Sequence, residues 1–287
     1  MPFVAVDDGV ELYYTEASPA STGRRLPLVL VHAFPMSHAM WSPQLTRFGG
    51  ERRTIAYDCR GFGRSSAPAS PDAYSQERSV EDLRGLLDGL GIARAVLVGL
   101  SMGGSIALNF AFRYPDRVAG LCLAATGAGS DDPAGFAREV AQWADAAERA
   151  ATEGFLGVLN RHPIFGLFMA RGEAERRLLR EIVSGHMAHG IANTARRTLA
   201  RRPPVYALED GLRRVTCPTT VIVGERDPSC RKTSDFLAAT VPRARFVAVP
   251  EAGHFVNLEA PFAFDAALAE LLAEAEAAEG LERATYE

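Results

Sequence analysis

The strongest constraint on the fold is a series of short apolar runs spaced along the chain. They are Leu28 to Val31 before His32, Arg53 to Tyr57 before Asp58, Ala95 to Val98 before Gly99, Val118 to Ala125, Thr219 to Val223 before Gly224, and Arg245 to Val249 before Pro250. Runs of this length, with no polar alternation, read as strands buried on both faces. Ahead of them, Phe3 to Val6 and Val10 to Tyr14 flank Asp7-Asp8-Gly9, a hairpin signal with Asp-Gly at the bend. Helical patterns separate the runs. Ser79-Val80-Glu81-Asp82 resembles a capping box, with Leu83, Leu86, Leu87 and Leu90 following at helical spacing. Met102 to Tyr114 is stopped by Pro115, and Phe236 to Val241 and Pro261 to Ala275 complete the set. Strands alternating with helices demand a mostly parallel sheet covered on both faces. Function in such sheets collects at the carboxyl ends of the strands.

The alternation stops between residues 131 and 214. Asp132-Pro133 is a helix start, with Pro in the first turn. Phe155, Leu156 and Leu159 mark one short helix, and Ile164, Phe165, Leu167, Phe168 and Met169 mark another. Arg196 to Pro204 is a basic, proline-rich bend. The expected organisation is a core of residues 1–130 and 215–287 interrupted by a helical cap at 131–214. Ser18 to Arg25 reads as a loop, and the acidic tail from Glu274 is expected to fray.

Composition narrows the function classes. Lys and Arg total 31 against 35 Asp and Glu, a net charge of −4, so binding to a phosphate backbone is not expected. No apolar run approaches the roughly 18 residues of a membrane span, and the MPFVAVDDGV start has no basic n-region. Cys59, Cys122, Cys217 and Cys230 are scattered and read as reduced thiols of a cytoplasmic protein. A small-molecule substrate is the expected partner, with a homodimer as one option for the oligomeric state.

Gly99-Leu100-Ser101-Met102-Gly103 matches G-x-S-x-G. Chance gives roughly 0.1 such matches in a chain of this Gly and Ser content. The position, between a strand and a helix, is where a nucleophile elbow must lie. A serine hydroxyl needs a base within hydrogen-bond reach. Of the histidines at 32, 38, 162, 186, 189 and 254, His254 fits best, since it follows the last strand and the order Ser, acid, His is kept. Asp227, in Gly224-Glu225-Arg226-Asp227-Pro228, is the leading acid. Glu225 is its near rival and Asp131 or Asp132 more distant ones, while Asp58 and Asp116 read as structural. The oxyanion would be received by the backbone N–H groups of Met102 and Phe34. His186 and His189 could share a helical face, but with no further ligands placed they and His162 read as cap surface histidines, and no metal is expected. Arg196-Arg197 and Arg201-Arg202 form a basic patch, read as a solvated face with anion steering as the alternative. The Phe and Met cluster from Phe155 to Met169 reads as cap core that also walls a pocket.

Together, His32-Ala33-Phe34-Pro35, the stretch from Tyr57 to Ser65, the elbow, Gly224 to Asp227 and Gly253-His254-Phe255 resemble the α/β-hydrolase superfamily from Phe3 to about Ala275. They are most similar to its small carboxylesterase, enol-lactonase and non-haem haloperoxidase-like branch. The resemblance implies an eight-stranded sheet, a helical cap over the site, and hydrolysis of a small ester or lactone without a cofactor. The family carries Gly after the first histidine where this chain has Ala33, and a Cβ there penalises positive φ. Ser101 sets the chain apart from members with an aspartate nucleophile, so dehalogenase and epoxide hydrolase chemistry is not expected. Carbon–carbon bond hydrolysis of ring-fission diketones is the alternative reaction. Peroxide-dependent perhydrolysis is a side activity the same site would allow. A triad-retaining ligand receptor is the alternative of a different class.

Overall fold

The computed structural model describes residues 2–20, 25–150 and 152–284, with side chains described as far as residue 280. Part of the loop expected at Ser18 to Arg25 therefore lies outside the described residues.

Eight strands form one sheet: β1 (Phe3–Ala5), β2 (Glu11–Ala17), β3 (Leu28–Val31), β4 (Thr54–Tyr57), β5 (Ala95–Leu100), β6 (Val118–Ala124), β7 (Thr219–Gly224) and β8 (Ala244–Val249). Their order is β1-β2-β4-β3-β5-β6-β7-β8. The pairs β1/β2 and β2/β4 are antiparallel, and all others are parallel. Every residue of β3 to β7 is buried, which explains their largely apolar character, with Thr54, Thr219 and Thr220 as buried polar residues among them. Edge strand β8 is only half-buried along most of its length and carries Arg245, a charge that discourages further pairing.

Between the strands run α1 (Ser42–Phe48), α2 (Gln76–Gly89), α3 (Met102–Arg113), then α4 (Pro133–Arg149), α5 (Thr152–Leu159), α6 (Pro163–Met169), α7 (Glu173–Ser184), α8 (Ala188–Asn193) and α9 (Glu209–Leu212). They are followed by α10 (Arg231–Thr240), α11 (Val256–Glu259) and α12 (Pro261–Ala284). The sheet is covered on both sides. A Cβ on Gly120 would meet Ala275 of α12 at 3.2 Å and Val96 of β5 at 3.4 Å, so both face α12. Gly99, three residues past Val96 and so on the opposite face, approaches Gly103 of α3. Residues between β6 and β7 form no strand among those described, so α4 to α9 make a purely helical insertion, with Asp132 as the N-cap of α4.

Strand β3 leads outward to β4 on one side, and β4 returns through α2 to β5 on the other. The order thus reverses between β3 and β5. Connections leave in opposite directions there and open a crevice at the carboxyl ends. Phe34 follows β3 and Ser101 follows β5, so both flank this crevice.

Two local expectations differ from the structure. Helix α2 is capped by Ser75, whose Oγ accepts from Arg78 N at 3.1 Å, and not by Ser79. Ser79 lies inside the first turns with its hydroxyl donating back to Ser75 O at 3.1 Å. The tail does not fray at Glu274. Helix α12 runs to Ala284, with Glu276 bonded to Arg52 at 2.5 Å and Glu279 to Arg94 at 2.5 Å. Contacts to partners more than a hundred residues away hold a segment whose own sequence is only helix-prone.

Candidate active site

The chain turns from β5 into α3 through Ser101, at φ 55° and ψ −107°. A positive φ is disfavoured for any residue with a Cβ and persists where its surroundings enforce it. Close backbone approach does so here. A Cβ on Gly103 would lie 2.1 Å from Val31 O, and one on Gly99 would lie 2.2 Å from Gly103 O. Only glycine permits the helix to start so near the strands. Ser101 N donates to Ala124 O at 2.8 Å, and Ser105 N to Ser101 O at 3.0 Å. Ser101 is partly exposed, and its Oγ makes no hydrogen bond among the described residues.

Asp227 and His254 meet beyond the carboxyl ends of β7 and β8. His254 Nδ1 lies 2.7 Å from Asp227 Oδ2, with both side chains buried. The second carboxylate oxygen accepts from Ser229 N at 3.0 Å, which fixes the plane of the carboxylate. Nδ1 is thereby the donor nitrogen, and Nε2 is left with its lone pair. Glu225 is exposed; Asp131 accepts from Tyr206 Oη at 2.6 Å, and Asp132 from Gly135 N at 2.9 Å. None of these rivals touches His254.

Phe34 and Met102 lie on opposite sides of the crevice, and neither backbone N–H has a protein acceptor among the described residues. Ala33 does not take a positive φ, so its Cβ imposes no strain there. The turn is closed by Met36 N donating to Ala33 O at 2.7 Å. The insertion roofs this region with aromatic rings. Trp143 of α4 stacks on Phe34 at 5.8 Å and 16°. Phe165 and Phe168 of α6 pack on Phe255 at 5.9 and 4.9 Å.

Asp227, Cys230 and His254 are also a group of metal-ligand types, with ligand atoms within 4.8 Å of one another. A zinc site would need the thiolate. Burial pushes the Cys230 thiol well above the ordinary range, the Asp227 carboxylate adds to this, and its S–H donates to Ala125 O at 3.1 Å. Cys230 Sγ lies 3.9 Å from His254 Nδ1, whose shorter contact is with Asp227.

Several functional neighbours carry no sequence signal. Glu259 of α11 accepts from both Gly253 N, at 2.8 Å, and Phe255 N, at 3.0 Å, bracketing His254. Arg171 of the insertion reaches the same glutamate at 3.4 Å. The cap histidines are not free surface groups. His186 accepts from Gly63 N at 2.7 Å and reaches Pro35 O at 2.8 Å, and His189 reaches Ala67 O at 2.8 Å. Of the basic patch, Arg196 pairs with Asp145 and Glu148, and Arg197 with Asp72. Arg202 turns inward to Ser105 Oγ and Ala128 O, under a ring of Phe136. Asp58 is structural, as expected. It accepts from His38 N at 2.8 Å and Arg64 N at 2.9 Å.

His32 ties β3 to β4. Its Nε2 accepts from Cys59 N at 2.9 Å, so Nδ1 carries the proton and donates to Ala33 O at 2.8 Å. Burial pulls its pKa from 6.5 down to about 4, against the opposing pull of Asp58. The folded protein therefore resists a proton that the unfolded chain accepts between those values, and stability rises with pH across that window. The shift corresponds to about 3 kcal/mol. The stability advantage of wild type over His32→Gln should shrink by about that amount as pH falls from 6.5 to 4. Denaturant titrations at stepped pH would read it. An advantage that stays constant across the window would show that His32 does not titrate as its burial requires.

Comparison with known proteins agrees with this architecture. A family model described as alpha/beta hydrolase fold matches residues 27–261. A putative 2-succinyl-6-hydroxy-2,4-cyclohexadiene-1-carboxylate synthase of Bacillus subtilis is 30% identical over 276 residues, 94% of this chain and 97% of that protein. Epoxide hydrolase 3 of Xenopus tropicalis is 42% identical over 118 residues, covering 41% of this chain and 31% of its own length. Among solved structures, an enol-lactonase from Burkholderia xenovorans superposes with a TM-score of 0.82 at 26% identity, over 95% of this chain and 100% of that one. A thermophilic esterase from Thermogutta terrifontis, malate-bound, gives 0.80 at 31% identity, over 95% and 98%. No helix among the described residues is long and apolar enough to cross a membrane.

Proposed function

The chain belongs to the α/β-hydrolase fold family, and from that premise we propose that it is a serine hydrolase of small carboxylic esters or lactones. The observation that carries the proposal is the buried 2.7 Å Asp227–His254 bond beside the crevice where Ser101 stands at positive φ. Ser101 Oγ attacks the substrate carbonyl carbon while His254 Nε2 takes its proton. Asp227 holds the imidazole and stabilises its protonated form. Phe34 N–H and Met102 N–H, both without acceptors among the described residues, receive the carbonyl oxygen as it becomes negative. The tetrahedral adduct collapses, the bond to the leaving oxygen breaks, and His254 gives that oxygen its proton. For a lactone the leaving alcohol stays attached to the acyl chain. Water then attacks the Ser101 ester, His254 again taking and returning one proton, and the acid is released. In apo structures the serine–histidine bond is often long and tightens on substrate binding, so the unbonded Ser101 Oγ is compatible with this cycle. No step needs a cofactor.

The aromatic roof of Phe34, Trp143, Phe165 and Phe168 favours an apolar acyl group. The esterase and enol-lactonase neighbours support the ester reading, and the soluble small-molecule substrate class goes with it. Opening an epoxide through an ester intermediate needs a carboxylate at the elbow, and Ser101 is not one. Carbon–carbon bond hydrolysis of a ring-fission diketone, with His254 again serving proton transfer, is the second reading.

A panel of aryl esters of rising acyl length, with aliphatic and aromatic lactones, tests the proposal. Turnover on the order of 1 s⁻¹ or faster is expected for at least one class, with a preference for short apolar acyl groups. No turnover of any member by the folded protein, with activity on a vinylogous diketone instead, would replace the ester reading with the carbon–carbon one.

A further inference from the structure

We propose that His186 is a positioning residue that fastens the loop carrying Phe34 N–H to the helical insertion and thereby sets the geometry of the oxyanion site. The inference rests on the serine-hydrolase reading. His186 lies between α7 and α8, outside the elements and loops that carry Ser101, Asp227 and His254. Its ring bridges two core loops at once. Gly63 N–H donates to Nδ1 at 2.7 Å, so Nδ1 bears no hydrogen. Nε2 therefore carries the proton and donates to Pro35 O at 2.8 Å. Burial favours this neutral ring, against the pull of the Asp58 carboxylate.

Pro35 is the residue after Phe34, inside the turn closed by Met36 N and Ala33 O. Its carbonyl is the point at which the insertion grips this turn by a hydrogen bond. The surroundings give the grip little slack. The His186 ring stands edge-on to Phe62 at 5.3 Å and 87°, and Phe62 stands edge-on to Phe34 at 5.9 Å and 90°. Beside it the two backbones touch, since a Cβ on Gly190 would lie 2.2 Å from Gly61 O. A shift of His186 is thus a shift of the Pro35–Met36 peptide, whose Met36 N–H is bonded to Ala33 O, the carbonyl of the same peptide unit that carries Phe34 N–H. An oxyanion donor works only when held in place beforehand, and displacement of about 1 Å can cost on the order of 100-fold.

The two hydrogen bonds can be separated by amide substitutions. The Nε2 of His186→Gln can still donate to Pro35 O, with the Gly63 bond lost. The Oδ1 of His186→Asn can still accept from Gly63 N, with the Pro35 bond lost. A residue that only docks the insertion would suffer similarly from either change. A positioning residue requires kcat to stay within about threefold in His186→Gln and to fall about 10- to 100-fold in His186→Asn, with KM little changed in both. Affinity for an alkyl boronic acid, whose tetrahedral adduct occupies the same oxyanion site, should fall in parallel with kcat. Equal kcat in the two variants, whether at the wild-type level or reduced, would overturn the proposal. Nitrogen-15 shifts of the His186 ring in the wild-type protein give a check that needs no variant. They should show a protonated Nε2 and a bare Nδ1, and the opposite tautomer would overturn it too. A wild type without ester turnover would sink the hydrolase reading, while the ring spectrum would still report the bridge.

Discussion

Ser101→Ala should lower kcat/KM for the best ester of the panel by about 10³-fold or more, with the protein still folded. The reason to expect an intact fold is specific. The strained turn at φ 55° arises from close backbone packing around Gly99 and Gly103, and alanine carries the same Cβ as serine. The hydroxyl contributes no hydrogen bond among the described residues, so its removal leaves no buried group unpaired. The loss is therefore chemical. Residual rate above that of water is expected from the oxyanion donors and binding alone. Melting temperature and kinetics measured on the same preparation separate the two effects. Hydrolysis at the wild-type rate by Ser101→Ala would remove Ser101 from the mechanism. A fluorophosphonate should also label wild type at Ser101 and leave the variant unlabelled.

Asp227→Asn should lower kcat by about 10⁴-fold, a larger loss than its loss of charge alone suggests. The carboxylate uses one oxygen for His254 Nδ1, at 2.7 Å, and the other for Ser229 N, at 3.0 Å. Both partners are donors. An amide cannot satisfy both, because one of its two ends is itself a donor. If the NH₂ group faces His254, Nδ1 must become the acceptor and Nε2 takes the proton. The ring can then no longer accept a proton from Ser101. If the NH₂ group faces Ser229 instead, two donors meet at a buried site. Glu225→Gln, at an exposed neighbouring position, should leave kcat within about threefold. A small loss in Asp227→Asn beside a large one in Glu225→Gln would reassign the acid.

The elements most legible in the sequence were those set by local pattern. Leu28 to Val31, Thr54 to Tyr57 and Thr219 to Val223 are strands because a segment buried on both faces is rich in apolar, β-branched and aromatic residues. Asp132-Pro133 starts α4 because a side-chain acceptor and a missing N–H suit the first turn of any helix. The same local logic failed at α2. Ser75 and Ser79 are both plausible caps by composition, and the extra turn at Gln76 forms because Gln76, Val80 and Leu83 bury one face together. It failed again at the tail, where Glu276 and Glu279 look solvent-bound until Arg52 and Arg94 are brought beside them.

The site divides along the same line. Ser101 and its glycines were visible because a tight strand-to-helix turn restricts residue size within five consecutive positions. His254 and Asp227 could be placed at the ends of strands, with Asp227 the leading acid and Glu225, two residues before it, its near rival. Burial of one and exposure of the other separates them, and burial depends on how the loops after β7 and β8 fold over each other. Glu259, clamping the backbone on both sides of His254, gives no sign in the sequence beyond its helix. His186 gives less, since its partners are 123 and 151 residues away. What the sequence determined by itself was the order of strands and helices and the turn that presents Ser101. Both follow from periodicity and steric limits acting over a few residues. The tertiary structure alone decided which carboxylate meets His254 and which side chains brace the loops, because a hydrogen bond between remote residues depends on distances that no local pattern encodes.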